Sequence, residues 1–118
     1  MADLNYQVQA HLISKGKSLT EAETITEDMN QVMLSQDGID VWNVSGITKP
    51  TDSELTAADT EGTKIQNNYC ARRSRRIGYG LIGDQLDLLY KDLVAGKLDA
   101  TGEWAKAVKK VKDDNPLT

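Results

Sequence analysis

The sequence predicts a mainly helical α+β fold for this chain of 118 residues. Two capping-box patterns each precede apolar residues at helical spacing, two short segments near the start favour strands, and two amphipathic segments end the chain. A chain of this length hides roughly two thirds of its unfolded surface on folding. Because 39% of the residues are apolar and none is Phe, we expect a thin core. We expect an N-terminal β-α-β segment over residues 1–50 and a helical region over residues 51–118, in one compact domain.

The first segment, residues 4–12, alternates between apolar and polar side chains. The apolar set is Leu4, Tyr6, Val8, Ala10 and Leu12, and the polar set is Asn5, Gln7, Gln9 and His11. A period of two predicts a half-buried strand. That strand would place His11 on its exposed, polar side.

A helix and a second strand are predicted next. Ser18 and Glu21 have capping-box spacing, which marks a helix start. Helically spaced apolar residues continue from Ala22 to Val32, and the turn signal of residues 36–38 should end the helix. Residues 39–44, which contain Trp42, are β-prone, and we expect this strand to pair with residues 4–12.

A second capping box, formed by Thr51 and Glu54, predicts the start of a long central helix. The apolar stripe that begins at Leu55 extends this helix to about residue 77. Gly62 is its weak point, since Gly costs about 1 kcal/mol relative to Ala inside a helix. A break into two helices near residues 60–63 is the alternative.

Two further helices are predicted after a hinge at residues 78–80. Apolar residues at spacings of four, three and four mark the first: Ile82, Leu86, Leu89 and Leu93. The second begins near Thr101 and presents Trp104, Val108 and Val111. The short connection after Gly96 predicts an antiparallel hairpin. In it Leu86, Leu89 and Leu93 should pack on the last helix and leave Leu88, Tyr90 and Val94 available to a partner.

The residues that carry chemistry are few. With one Cys, Cys70, and one His, His11, the chain forms no internal disulfide and no zinc site built from Cys and His. No phosphate-binding glycine motif is present. Asp84 and Asp87 suit the first turn of a helix better than acid–base catalysis or cation binding. We therefore expect no catalytic residue, no cofactor and no metal site, and no signal peptide or membrane span.

Charge is unevenly distributed along the chain. Residues 1–62 carry eleven acids and three lysines, giving −8, whereas residues 63–118 carry eleven bases and seven acids, giving +4. The two halves either face each other within one fold or attract a charged neighbour.

The strongest local charge feature is an arginine cluster, whose members are Arg72, Arg73, Arg75 and Arg76. Such a cluster is able to grip phosphates, but bases also stabilise the end of a helix. Because the protein is acidic and has no second basic element, we do not expect nucleic acid as its partner. Trp42 is either a core anchor or an interface hot spot.

A series of motifs follows Trp42 along the chain: Lys49-Pro-Thr51, Glu54-Leu-Thr-Ala-Ala58, the arginine cluster, Tyr79, Ile82-Gly-Asp-Gln-Leu-Asp87, Lys91, Val111-Lys112 and Pro116. In these motifs the sequence from Trp42 onward resembles a group of small proteins of tailed bacteriophages that are often encoded near tail-fibre genes. Residues 96–106 are similar in particular to versions from phages of marine cyanobacteria. Gly80 departs from the proline that usually follows the tyrosine, and residues 1–41 have no counterpart.

This resemblance implies a virion structural protein of the tail, baseplate or fibre that is assembled in the host cytoplasm and acts by protein–protein contact. Its partners would be other phage structural proteins, or further copies of itself. The alternatives are a fibre-assembly chaperone that is not retained in the virion and a capsid decoration protein. No catalytic residues come with the resemblance, and we expect no enzyme. The candidate interface residues are Arg72, Arg73, Arg75, Arg76, Leu88, Tyr90, Val94 and Trp42.

Overall fold

A computed structural model describes all residues, Met1–Thr118, and confirms the mainly helical α+β class. The chain forms two compact units, a first unit of Met1–Gln66 and a second unit of Asn67–Thr118. Their boundary lies inside a helix, whereas the sequence suggested a change of segment near residue 50. The elements are α1 (Leu4–Ser14), α2 (Leu19–Glu27), β1 (Val32–Ser35), β2 (Gly38–Trp42), α3 (Asp52–Ala57), α4 (Asp59–Gly78), α5 (Ile82–Val94) and α6 (Glu103–Asp114).

The prediction of a strand over residues 4–12 was wrong, because this segment forms helix α1. Leu4, Val8 and Leu12 satisfy the alternation, but they are also four residues apart and share one face of a helix. Val8 and Leu12 are fully buried, and α1 packs against α2 and α3. His11, expected on an exposed face, is buried as well.

The capping box of α2 is confirmed, but the helix ends earlier than predicted. Ser18 Oγ accepts a hydrogen bond from the Glu21 amide at 3.1 Å, and Glu21 Oε2 accepts one from the Ser18 amide at 3.0 Å. The helix ends at Glu27 because the Asp28 carboxylate accepts hydrogen bonds from the amide of Asn30 and the side chain of Gln31. The chain therefore turns there, and residues 32–33 belong to β1.

The two strands form an antiparallel hairpin whose register pairs Val32 with Trp42 and Ser35 with Gly38. The predicted strand near residues 39–44 is thus confirmed, as β2. The predicted pairing of this strand with residues 4–12 was wrong, since β2 pairs with β1 and no helix lies between these two strands in the chain. The turn signal at residues 36–38 closes this hairpin.

The core of the first unit comes from its helices, its hairpin and the loop before α3. Its buried members are Val8, Leu12, Ala22, Ile25, Val32, Val44 and Leu55. Trp42 packs against this cluster while half-buried, and its Nε1–H donates to the Ile47 carbonyl at 2.8 Å. Trp42 therefore anchors the core of the first unit.

The central helix is broken at Ala58, close to the alternative considered from the sequence, into α3 and α4. The Asp59 carboxylate accepts hydrogen bonds from Gln7 Nε2 at 2.9 Å and from the Ala2 amide at 2.8 Å, and these bonds lower its pKa. A Cβ at Gly62 would lie 3.1 Å from backbone atoms of Tyr6 and Gln7. Gly62 therefore allows α1 to approach α4 closely and is not merely a weak point.

Candidate interaction surface

The second unit has no buried apolar side chain. In residues 67–118 the only buried residues are Asp92 and Gly102, while the apolar residues of α5 and α6 are half-buried or exposed. This pattern inverts the usual one, in which apolar side chains fill the interior and charged ones face water. The second unit therefore has a polar centre at Asp92 and an apolar exterior on α5 and α6.

Asp92 joins the end of α5 to the start of α6 and is only 4% exposed. Its Oδ1 accepts a hydrogen bond from the Glu103 amide at 3.0 Å, and its Oδ2 accepts one from the Trp104 amide at 2.8 Å. A carboxylate at this position satisfies amides that have no partner within the helix and favours the positive helix end. We call this arrangement the Asp92 cap.

Gly102 makes room for the Asp92 cap. A Cβ on Gly102 would lie 2.3 Å from the Lys97 carbonyl oxygen and 2.6 Å from Asp92 Oδ2. The connection between the helices is also held by the Lys97 amide, which donates to the Asp92 carbonyl at 2.8 Å. Neither Asp92 nor Gly102 was identified from the sequence. The available signal was an Asp inside the apolar stripe of α5, followed by a helix that begins at a residue without a capping side chain.

The predicted packing of the hairpin is only partly right. Helices α5 and α6 do pack together, and Leu89 and Trp104 line one cavity of about 310 Å³. However, Leu86 and Leu93, which were expected against α6, are each more than half exposed. The side of α5 that faces α6 centres on Asp92, so these two leucines are rotated away from α6.

The exposed side of α5 carries an apolar ridge. Its members, here called the α5 ridge, are spaced four residues apart and are 58–75% exposed: Ile82, Leu86, Tyr90 and Val94. Leu93 and Leu98 extend it and are also more than half exposed. Beside it lies a groove of about 290 Å³ with only apolar lining residues, which are Leu86, Leu89, Tyr90, Leu93 and Leu98. Of the sequence-predicted candidates, Tyr90 and Val94 lie on this surface, whereas Leu88 is half-buried.

Three charged residues, here called the flanking charges, share one side of α5. Asp87 and Lys91 border the α5 ridge, whereas Asp84 lies two residues from both Ile82 and Leu86 and faces away from it. Asp84 and Asp87 occupy the first half of α5 and Lys91 the second half, and all three are exposed. Their spacings of three and four residues place them on a common side of the helix. None of the three belongs to an ion pair within the chain.

The arginine cluster is divided between two environments. Arg75 is half-buried, and its Nε donates to the Asn115 carbonyl at 2.8 Å while its Nη2 approaches the Lys112 carbonyl at 3.5 Å. Arg75 thus satisfies carbonyls at the end of α6. Arg72, Arg73 and Arg76 are exposed on α4. The structure therefore gives Arg75 a stabilising contact and leaves three guanidinium groups facing solvent.

His11 belongs to the first unit. Its Nε2 is buried without a hydrogen-bond partner. Burial lowers the pKa of the imidazole below 6.5, although the nearby Glu54 carboxylate opposes part of this effect. A small cavity beside it is lined by Ser14, Lys15 and Glu54, among other residues. These groups form no nucleophile–base hydrogen bond of the kind that covalent catalysis uses.

Comparison with protein-family models, with curated proteins and with solved structures finds no match. Within the chain, no helix is both long enough and apolar enough to cross a membrane. No group of three or more His, Cys, Asp or Glu side chains is arranged to hold a metal ion. The α5 ridge and the Asp92 cap are the most distinctive features that the structure offers.

Proposed function

We propose that this protein is a structural component of a tailed-phage particle, at the tail, baseplate or fibre, and that it acts by binding other proteins. The observation that carries the proposal is the exposed apolar surface of the second unit. The four residues of the α5 ridge, together with Leu93 and Leu98, are each more than half exposed, and an apolar groove runs along them. Contiguous exposed apolar surface of this kind marks sites of protein association.

The phage assignment rests on the resemblance of the sequence, and the run Ile82-Gly-Asp-Gln-Leu-Asp87 is its most specific part. Ile82 and Leu86 of this run belong to the α5 ridge, and Asp84 and Asp87 are flanking charges. The most specific part of the resemblance therefore supplies two of the four residues of the α5 ridge. Because Ile82 and Leu86 are apolar side chains that lie exposed, this overlap supports a role for the run in binding a partner.

The Asp92 cap supports the same role. It holds α5 and α6 together through charge-assisted hydrogen bonds, which need no burial of the neighbouring leucines. The apolar side chains of α5 consequently remain available at the surface before a partner binds. An assembly component benefits from such a prearranged surface, since less conformational entropy is lost on binding.

Mass spectrometry of purified phage particles tests the proposal. We expect the protein at a constant copy number per particle, and in the tail fraction once heads and tails are separated. Its presence in lysates but absence from particles would overturn the proposal in favour of the assembly chaperone. Its recovery with heads alone would overturn the tail location in favour of a capsid decoration protein.

A pair of variants tests whether the exposed apolar surface is responsible. Tyr90→Asp places a charge in the middle of the α5 ridge, and we expect particles to lose the protein. Met29→Asp makes a similar change at an exposed apolar residue of the first unit and should leave incorporation unchanged. Equal incorporation of both variants would show that the surface is not used in the particle.

A further inference from the structure

We infer that one exposed side of α4 binds a single strand of nucleic acid, through arginine contacts to phosphates and a tyrosine that stacks on a base. The residues of this side, here called the arginine–tyrosine stripe, are Tyr69, Arg72, Arg73 and Arg76. The inference goes beyond the proposed function, because it assigns a ligand to a different helix from the one that carries the α5 ridge. It does not require that the protein be part of a virion.

The stripe occupies two turns of α4. Its four residues follow the spacing i, i+3, i+4 and i+7, which places them on one side of a helix. Tyr69 is 57% exposed, and the three arginines are exposed as well. Arg75 faces α6 instead, where its Nε donates to the Asn115 carbonyl at 2.8 Å. This contact holds α4 against the end of α6, so a supported helix presents the stripe.

The charge of the stripe is not neutralised within the chain. Residues 62–83 contain five bases and no acid. No ion pair includes an arginine, although the chain has eighteen acids. The helix dipole favours bases only in the last turn, so it explains Arg76 but neither Arg72 nor Arg73. Arg72 and Arg76 are also like charges four residues apart, which repel each other until an anion binds between them.

The net negative charge of the chain does not extend to this surface. The second unit, residues 67–118, carries ten bases and seven acids, giving +3, and all seven acids lie after residue 83. The sequence offered no second basic element, but the structure brings Lys112 of α6 close to α4. Its carbonyl lies 3.5 Å from Arg75 Nη2, and its side chain is exposed and belongs to no ion pair. The two grounds for not expecting nucleic acid therefore do not apply to this part of the molecule.

The composition of the stripe favours a nucleic acid over an acidic protein. Protein–nucleic acid interfaces are more polar and more positively charged than protein–protein interfaces. Protein interfaces have an apolar centre, whereas the stripe contains no aliphatic side chain. A guanidinium group binds a phosphate through two parallel hydrogen bonds, and an exposed aromatic ring stacks on an unpaired base. One tyrosine among three arginines therefore matches a single strand, in which phosphates and bases are both accessible.

Fluorescence anisotropy of a labelled single-stranded oligonucleotide, titrated with the full chain, tests the binding. Three phosphate contacts predict that the affinity falls roughly 20-fold between about 50 and 200 mM salt. Arg72→Gln should lower the affinity about fivefold at about 0.1 M salt, because one contact is lost. Lys49→Gln removes the same charge from the first unit and should bind like the parent. Absence of binding at low salt, or equal effects of the two variants, would overturn the inference.

A triple variant tests the stripe as a whole. Replacing Arg72, Arg73 and Arg76 with Gln should abolish measurable binding, since all three phosphate contacts are lost. Arg75 is kept because it contacts the end of α6, and Trp104 fluorescence should show that the second unit stays folded. Retention of binding in this folded variant would overturn the assignment to α4.

Tyr69 distinguishes a nucleic acid from an acidic protein. Tyr69→Ala should weaken binding of the oligonucleotide about tenfold, whereas Tyr69→Phe keeps the ring and should bind like the parent. Poly-glutamate, which has carboxylates but no bases, should compete poorly, and a duplex of the same length should bind more weakly than the single strand. No effect of Tyr69→Ala together with strong competition by poly-glutamate would overturn the inference in favour of an acidic protein. Tighter binding of the duplex would overturn the assignment to a single strand.

The same measurements are independent of the proposed function. Oligonucleotide binding by a protein that is absent from phage particles contradicts only the proposed function. Absence of this binding in a protein that is present in particles contradicts only the inference for α4.

Discussion

The two units of this chain use their apolar residues in opposite ways. The first unit buries a cluster that includes Val8, Leu12 and Val32, and its hairpin and helices enclose that cluster. The second unit buries a carboxylate and a glycine instead, and exposes most of the apolar surface of α5. The comparison indicates that apolar side chains stabilise the fold in the first unit, while in the second unit they are available for association.

The largest expected effect comes from making the same substitution in both units. Leu12→Ala should reduce the free energy of unfolding by about 2–5 kcal/mol, because it leaves a cavity in a packed core. Leu86→Ala should change it by less than about 0.5 kcal/mol under dilute, monomeric conditions, since Leu86 is mostly exposed. Denaturant titrations of both variants measure the difference. Equal losses would contradict the contrast between the units.

Each unit contains one tryptophan, which makes such measurements specific. Trp42 lies against the core of the first unit, and Trp104 follows the Asp92 cap in the second. Variants that retain only one of them report the unfolding of one unit by fluorescence. Leu12→Ala should therefore shift the transition seen by Trp42 most strongly.

The second prediction concerns the close contact at Gly102. Gly102→Ala should destabilise the second unit by about 1–3 kcal/mol, because the new methyl group would overlap the Lys97 carbonyl and the Asp92 carboxylate. Gly83→Ala is the matched control, since a Cβ there meets no atom within 4 Å and a Gly inside a helix is less favourable than Ala by up to about 1 kcal/mol. The Trp104 transition should therefore move to lower stability for Gly102→Ala alone, and Gly83→Ala should leave it unchanged or raise it. Similar stability of the two variants would show that the connection between α5 and α6 is looser than described.

The third prediction concerns the Asp92 cap itself. Asp92→Ala should cost about 0.5–2 kcal/mol, as the loss of a helix-capping side chain usually does. Asp87→Ala, on the exposed side of the same helix, should cost less than about 0.5 kcal/mol in the monomer. Thermal unfolding followed by Trp104 fluorescence measures the loss of stability in both variants. A smaller loss of stability for Asp92→Ala than for Asp87→Ala would show that the Asp92 cap does not stabilise the second unit.

The smallest expected effect is a pH dependence of the first unit. Because burial lowers the pKa of His11 in the folded state, the unfolded state binds protons more readily. This contribution to stability is present above pH 6.5 and is lost as the pH falls from there toward the folded-state pKa. His11→Leu should flatten that part of the Trp42 stability profile. An unchanged slope between pH 7 and pH 5 would assign the dependence to other groups.

Capping signals gave the most reliable sequence predictions. The pairs Ser18–Glu21 and Thr51–Glu54 form their reciprocal hydrogen bonds as expected, because these bonds depend on residues only three positions apart. The α1 prediction failed because apolar residues at every second position also include residues four apart. The alternation is misleading because Gln7, Gln9 and His11 are polar and yet buried, whereas polar side chains usually face solvent.

The hairpin of α5 and α6 was predicted correctly, but its packed face was not. Spacing alone identified Leu86 and Leu93 as core residues, because the apolar stripe of α5 is wider than the surface that α6 covers. The Asp92 cap sets the rotation of α5 relative to α6, and it depends on a contact between residues eleven and twelve positions apart. Such a contact is not visible in local periodicity.

Amide hydrogen exchange of the isolated chain tests the central contrast most directly. We expect the amides of α1 to be the more strongly protected, because the core of the first unit is complete within one chain. The amides of α5 should exchange faster, because the second unit buries no apolar side chain. Protection of α5 that equals that of α1 would contradict the account.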